Sequence, residues 1–244
     1  MRIKTLHALT FAVVVCLLAA TPAFASTSFS DSTFNLSDYG PLQQYLGNPD
    51  MSGSVQHSVS FGNPAPSVEF IVHWPGSPNT DVAYQGLIHN GWSYDPGTQG
   101  ALTSIDFAED KYIHTDGNWT LTGSNIRMLM LQGGNYYIAA IPVTIAFDTW
   151  ESGSGNLTAT NFNYFDFATG ILDNTRHPDF SSGMMQFGLA NYFGLQLNGP
   201  TEVDTYYDNL SINLNQAVPE PSSLLLLGSG IVGVAGMVRR KLFS

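Results

Sequence analysis

The stretch Tyr137-Ile138-Ala139-Ala140-Ile141-Pro142-Val143-Thr144-Ile145-Ala146-Phe147 decides the fold. Its odd-numbered positions, Tyr137, Ala139, Ile141, Val143, Ile145 and Phe147, make one apolar stripe. A period of two belongs to a half-buried strand, not to a helix. Pro142 has no backbone donor and predicts a bulge or an edge within the run. The alternation recurs on both sides. Val68, Phe70, Val72 and Trp74 share a face opposite Glu69 and His73, and Trp119 and Leu121 alternate with Thr120 and Thr122. Residues 162–167 and 184–193 read as two further strands, and Tyr206, Asp208, Leu210, Ile212 and Leu214 as the last. Turn sequences such as Gly62-Asn63-Pro64, Asp95-Pro96-Gly97 and Gly133-Gly134-Asn135 separate them. About ten strands without a sustained helical period predict an all-β fold, an antiparallel jelly-roll sandwich.

Both ends of the chain differ from this middle. Residues 1–25 begin with Arg2 and Lys4, continue through an apolar run at 8–20 and end in Ala23-Phe24-Ala25, a small-x-small site before Ser26. That order is a secretory signal peptide, with cleavage predicted between Ala25 and Ser26 by signal peptidase after export through the general secretion machinery. The single cysteine, Cys16, follows Val15, where a lipoprotein signal wants a small residue. The mature chain would therefore hold no thiol, which excludes disulfides, thiolate catalysis and cysteine metal sites. At the other end Val218-Pro219-Glu220-Pro221 precedes an uncharged segment, 224–238, and then Arg239, Arg240 and Lys241. As a helix, 224–238 would be about 22 Å long. A hydrocarbon core is about 30 Å thick, so this is a marginal transmembrane span. The basic stop predicts a cytoplasmic C-terminus. The expected organisation is a signal peptide at 1–25, a β-sandwich at 26–216 and a tail at 217–244.

Motif, apolar run and basic cluster stand in the order of the PEP-CTERM sorting signal, which the tail resembles. That signal belongs to Gram-negative bacteria that make exopolysaccharide. The resemblance implies an exosortase as partner, recognising the signal whose sorting motif is Val218, Pro219, Glu220 and Pro221. It also implies transient anchoring in the inner membrane and a destination at the cell surface or in the exopolysaccharide matrix.

Composition narrows the function of the middle. All acidic residues except Glu220 lie between Ser26 and Gln216, against only Lys111, Arg127 and Arg176. Such a domain is no partner for nucleic acid or anionic lipid. It needs no cofactor; Ca²⁺ is compatible with its oxygen ligands, and so is plain solubility. The ending Tyr206-Tyr207-Asp208-Asn209-Leu210-Ser211-Ile212 is similar to the closing strand of carbohydrate-binding jelly rolls, of concanavalin A-like or galactose-binding-like type. Strand parity places Asp208 beside Leu210 and Ile212. It would then be a buried carboxylate seeking a Ca²⁺, or else a turn cap with Asn209.

Three kinds of chemistry remain to be weighed. There is no His-Glu-x-x-His, no Gly-x-Ser-x-Gly and no phosphate loop. Ser104-Ile105-Asp106-Phe107-Ala108-Glu109 resembles the catalytic strand of laminarinase-type glucanases, but Ser104 stands where the nucleophilic carboxylate belongs. Asp106 and Glu109 then read as a turn and a surface charge, extended by Asp110 and Lys111. Ile145-Ala146-Phe147-Asp148-Thr149-Trp150 resembles the metal-binding strand of legume lectins with Ala146 in place of a ligand, so at most Asp148 carries over. For sugar binding without metal, His89-Asn90-Gly91-Trp92-Ser93-Tyr94-Asp95-Pro96 reads as a loop. Trp92 and Tyr94 would form a stacking platform there, and Asn90 and Asp95 would supply polar contacts. The competing role for Trp92 and Tyr94 is a plug over one end of the sandwich, and Trp74, Trp119 and Trp150 read as core. The expected protein is a non-enzymatic, glycan-binding surface component. A secreted glycosidase or lyase, and a structural matrix protein without a specific ligand, are the alternatives.

Overall fold

The computed structural model describes residues 27–76, 80–115, 119–142, 146–197, 200–217 and 230. The signal peptide with its Ala25–Ser26 junction, the motif at 218–221, the span at 224–238 and the basic stop Arg239, Arg240 and Lys241 lie outside these residues. So does the side chain of Trp119. Among the described residues no helix is long and apolar enough to cross a membrane. Ser26–Gln216 forms one compact unit.

The described strands run in the order β1 (Thr27–Asp31), β2 (Gln43–Leu46), β3 (Ser52–Ser58), β4 (Ser67–Trp74), β5 (Thr80–Tyr94), β6 (Leu102–Thr115), β7 (Trp119–Gln132), β8 (Asn135–Pro142), β9 (Glu151–Leu157), β10 (Phe162–Asp166), β11 (Ile171–Asp173), β12 (Met185–Leu197) and β13 (Thr201–Gln216). One sheet has the order β3-β4-β13-β6-β9, with β1 also on β13; the other runs β11-β10-β8-β7-β12-β5-β2. The chain steps between sheets at β1–β2, β2–β3, β4–β5, β5–β6, β6–β7, β8–β9, β9–β10 and β12–β13. Its last two strands then insert centrally, β12 between β5 and β7, and β13 between β4 and β6. Two interleaved four-strand sets, β4-β13-β6-β9 and β5-β12-β7-β8, make this the predicted antiparallel jelly roll.

Alternation sets the core. Val68, Phe70, Val72 and Trp74 on β4 all face inward and are buried. The long stripe is seen on β8 as far as Pro142, which pairs with Asn125 on β7, and Phe147 is exposed in a bend; residues 143–145 lie outside the described residues.

The core is split. A large cluster that includes Phe107, Phe187 and Ile212 fills one part of the sandwich, and a smaller one of Met51, Val72, Trp74, Ile113, Phe193 and Val203 fills another. Glu109, Lys111, Gln85, Asn191 and Tyr207 are buried and belong to neither apolar cluster, except Tyr207, which edges the larger one. Tyr207 Oη donates to Asn191 Oδ1 at 2.8 Å, and Asn191 Nδ2 donates to Gln85 Oε1 at 3.1 Å. The expectation that Glu109 and Lys111 are surface charges is thus corrected. β6 continues through them, and odd parity from Ile105 and Phe107 turns both inward. Burial raises the Glu109 carboxyl well above the usual range and lowers Lys111 to about 7.

The second sheet curls. Phe165 on β10 lies 4.3 Å from Tyr84 on β5, centroid to centroid. Four strand spacings, about 19 Å along a flat sheet, separate those strands. The outer face is therefore concave, and Ile88, Leu129, Ile138, Phe165, Phe167 and Ala190 pack within it.

Candidate functional site

Alternate residues of β6, Ser104, Asp106, Ala108, Asp110, Tyr112 and His114, face outward from the first sheet, and none is fully buried. At two residues per repeat the row spans about 34 Å. Its two halves differ in chemistry.

The first half floors a shallow groove of about 330 Å³, lined by Asp106, Ala108, Ser154, Asn156, Ser211 and Asn213. Register puts Asp106 between Asn156 on β9 and Asn213 on β13. Asn156 Nδ2 donates to Asp106 Oδ1 at 2.6 Å, and Asn215 Nδ2 donates to Asp106 Oδ2 at 3.0 Å. These two amides hold the Asp106 carboxyl below the usual range. The small side chains leave room above the floor, and amides and hydroxyls line it. Sugar hydroxyls need such donors and acceptors.

The second half is aromatic. Phe61 stacks on Trp150 at 5.7 Å, meets Tyr206 at 4.5 Å and meets Tyr112 edge-on at 4.9 Å. All four rings are half-buried. Phe61 arrives on the loop from 59 to 66, which carboxylates and amides tie to the sheet. Asn63 N–H donates to Asp208 Oδ2, its side-chain amide donates to Asp110 Oδ2, and Asn209 Nδ2 donates to Asn63 O. Trp150 follows a bend in which Asp148 has a left-handed φ of 55°. Asp148 Oδ1 lies 2.6 Å from His114 Nδ1 and accepts from Tyr112 Oη at 3.3 Å. The His114 hydrogen bond holds the Asp148 carboxyl low. Burial, then the Glu69 carboxylate, pushes the Tyr206 hydroxyl up. Half-exposed rings edged by carboxylates can stack on the apolar face of a sugar while the acids take its hydroxyls.

The predicted platform at Trp92 and Tyr94 is corrected. β5 runs through His89 to Tyr94, so that segment is strand rather than loop. Trp92 is 6% exposed and Tyr94 1%, both in the main core. Trp92 stacks between Phe29 and His89, and Tyr94 Oη donates to Gly100 O at 2.6 Å. Asp95 instead caps the short helix Pro96–Gln99 by accepting from Gly97 N–H, while Asn90 alone of the four is exposed. Trp92 and Tyr94 therefore present no stacking face.

Asp208 departs from parity. A bulge between Asp208 and Ser211, with Asn209 at φ 52°, moves the inner row from Tyr207 to Leu210. Asp208 therefore lies on the outer side, buried beneath the loop at Asn63. Its two oxygens accept from the N–H groups of Asn63 and Asn209. Oxygens that face N–H donors do not fit a Ca²⁺ ion, so Asp208 is a loop anchor. Asp148 sits in a bend rather than the expected strand, facing His114 and Tyr112. Among the described residues no group of three or more acids and histidines could hold a metal. Asp106 and Glu109 point to opposite sides of the sheet, which separates that carboxylate pair.

Trp150, read as core, belongs to the outer aromatic cluster. The sequence reading also missed Phe61, Tyr112, Tyr206, Asn156, Asn213 and Asn215. One signal was available: in a strand, Tyr206 and Tyr207 must face opposite ways, so one of them has to lie outside.

No curated protein matches the chain in sequence. Among solved structures, the family 11 carbohydrate-binding module of a cellulosomal cellulase of Clostridium thermocellum is similar at 15% identity and TM-score 0.36, over 81% of this chain and 99% of that one. A family 22 xylan-binding domain gives 10% identity and TM-score 0.37, over 78% and 96%. A family 12 xyloglucanase from Bacillus licheniformis gives 12% and 0.32, over 78% and 100%. None of these likenesses assigns a ligand. The tail is different: residues 217–241 match the PEP-CTERM protein-sorting motif, so this chain carries the address of an exosortase-sorted surface protein.

Proposed function

We propose that the β-sandwich is a non-enzymatic polysaccharide-binding module that the tail delivers to the cell surface or to the exopolysaccharide matrix. In this reading the general secretion machinery exports the chain and signal peptidase removes 1–25. The tail holds it in the inner membrane until an exosortase acts on the sorting signal. One observation carries the binding role: Phe61, Tyr112, Trp150 and Tyr206 form a half-exposed aromatic cluster outside the sandwich, continuous along β6 with an amide-lined groove. The interior packs without them. The groove's one carboxylate, Asp106, is clamped through both oxygens by amides, which suits a fixed acceptor better than a proton carrier.

The compact unit 26–216 is the protein to test, on an array of neutral oligosaccharides. Binding that falls at least tenfold in Trp150→Ala and Tyr112→Ala, with the fold intact, is the expected result. A folded domain that binds no glycan would make this a structural matrix protein. Release of reducing ends from a bound oligosaccharide would make it a glycosidase.

A further inference from the structure

The other face of the molecule carries a cation that has no counter-ion among the described residues. Only Lys111, Arg127 and Arg176 are lysine or arginine between Ser26 and Gln216. Lys111 is inside the core, and Arg176 is exposed, 3.7 Å over the Tyr164 ring. Arg127 lies on the concave outer face of the second sheet and is 9% exposed. Its guanidinium carbon is 4.1 Å from the Tyr192 ring centroid and 5.5 Å from that of Tyr84. Its Nε is buried without a hydrogen-bond partner. Neither carboxylate pair, His73–Glu202 or His114–Asp148, involves Arg127, and no carboxylate among the described residues pairs with it.

A guanidinium is charged at every accessible pH and carries five donors in a planar fork. Burying it without an anion is costly. Aromatic faces return part of that cost but satisfy no donor. The neighbours of Arg127 across the ladder are Ala190 and Ala140, and Ala140 is exposed. Small side chains thus flank Arg127 on both sides along the ladder. The rings beside it, Tyr84 and Tyr192, are half-buried and carry no carboxylate. In a strongly acidic domain this is a neutral patch with one positive centre.

We propose that Arg127, Tyr84 and Tyr192 form a binding site for a carboxylate-bearing sugar, a uronic acid unit of an acidic polysaccharide. The carboxylate would accept the guanidinium fork bidentately, and the phenol rings would take the apolar face of the pyranose. This site lies on the opposite sheet from Phe61 and Trp150 and does not depend on them. The rest of the acidic surface repels a long anionic polymer, so this site takes one uronate unit and short oligomers are its fitting probe.

The test measures domain 26–216 by calorimetry against oligogalacturonate, neutral oligogalactose and inorganic phosphate. The first should bind and the second bind at least tenfold more weakly. Arg127→Met should lose at least tenfold in affinity for oligogalacturonate, and Arg127→Lys should recover only part of it, because an ammonium cannot form the fork. Arg127→Met should keep or raise the melting temperature, since it removes an uncompensated buried charge. A fall in melting temperature with unchanged uronate affinity would reduce Arg127 to a packing residue and overturn the proposal. Phosphate binding as tight as uronate would overturn it too, in favour of a general anion site. Trp150→Ala should leave uronate binding intact, so loss of the neutral-glycan site and loss of this one are read separately.

Discussion

The two outer faces of this sandwich are built by opposite means. On the first sheet the strand row stays open: small polar residues floor one half, and two of the four aromatic rings of the other half, Phe61 and Trp150, come from loops, that of Phe61 pinned by Asp208, Asp110 and Asn209. On the second sheet the surface curls until β10 reaches β5, and rings from both edges fill the hollow. The same alternation generates both. What differs is whether outward positions are apolar enough to collapse on one another. Ile138, Leu129 and Ile88 are, while Ala108, Ser211 and Ser154 are not. The open face is available to a ligand without rearrangement, and the filled face offers only what remains around Arg127 on its central strand.

The sharpest way to break this contrast is to add one carbon to the filled face. A Cβ at Gly188 would come 1.9 Å from the Leu87 carbonyl oxygen, a backbone atom that cannot step aside. Gly188→Ala should cost more than about 3 kcal/mol and yield little folded protein, as chemical denaturation would show. Normal stability would mean that β5 and β12 are not packed this closely.

Next come rings of like size on the two faces. Phe165 is fully buried and Phe61 only half. Phe165→Ala should cost about 3–5 kcal/mol. Phe61→Ala should cost about 1–2 kcal/mol in stability, the fraction of a full ring's transfer energy that half burial supplies. It should cost more in glycan affinity than in stability. Equal destabilisation by the two would make the first face a second core and leave no platform.

Between the faces, the buried pair offers a smaller effect with a pH signature. Glu109 titrates well above 4.5 when folded, so its contribution is present below about 4.5 and lost as pH rises. Lys111 titrates at about 7 against its usual 10.5, so its contribution is present above 10.5 and lost as pH falls toward 7. Between those limits both groups work against the fold. Replacing both at once by uncharged side chains of similar volume, Glu109→Gln with Lys111→Met, should leave neutral stability unchanged or raise it by about 1–4 kcal/mol. Urea titrations across the pH window those shifts span, from 4.5 to 10.5, should also become flatter. A steeper profile would show that the pair holds the sheets together.

Much of this was legible from the residues. Period-two patterning at Val68–Trp74 and around Ile141 gave the strands, and the count of turns gave the sandwich. The site was not legible, for reasons that lie in single residues. Parity fails at Asp208, because Asn209 in a left-handed conformation inserts a bulge and reverses the faces on either side. Composition makes His89–Pro96 look like a binding loop, although its alternating Trp92 and Tyr94 already follow the period of the strand they occupy. Phe61 and Trp150 are brought together by loops, and no local period records a contact between residues so far apart in the chain.

The smallest expected effect tests whether the open face is held by its rim. Asp148 is exposed and bound to His114 and Tyr112, and the His114 hydrogen bond keeps its carboxyl low. A depressed carboxyl adds to the fold above its unfolded pKa, about 3.9, and the contribution goes as pH falls through the lower folded value. At neutral pH the bend before Trp150 is therefore fixed, and screening by solvent leaves little for global stability. Asp148→Ala should leave the melting temperature unchanged at neutral pH. The indole N–H resonance of Trp150 should nevertheless shift and broaden, and glycan affinity should fall severalfold, because the ring loses the bend that sets its tilt beside Phe61. Unchanged affinity with a shifted resonance would place the working surface in the Asp106 groove, and the aromatic half would then be loop packing alone.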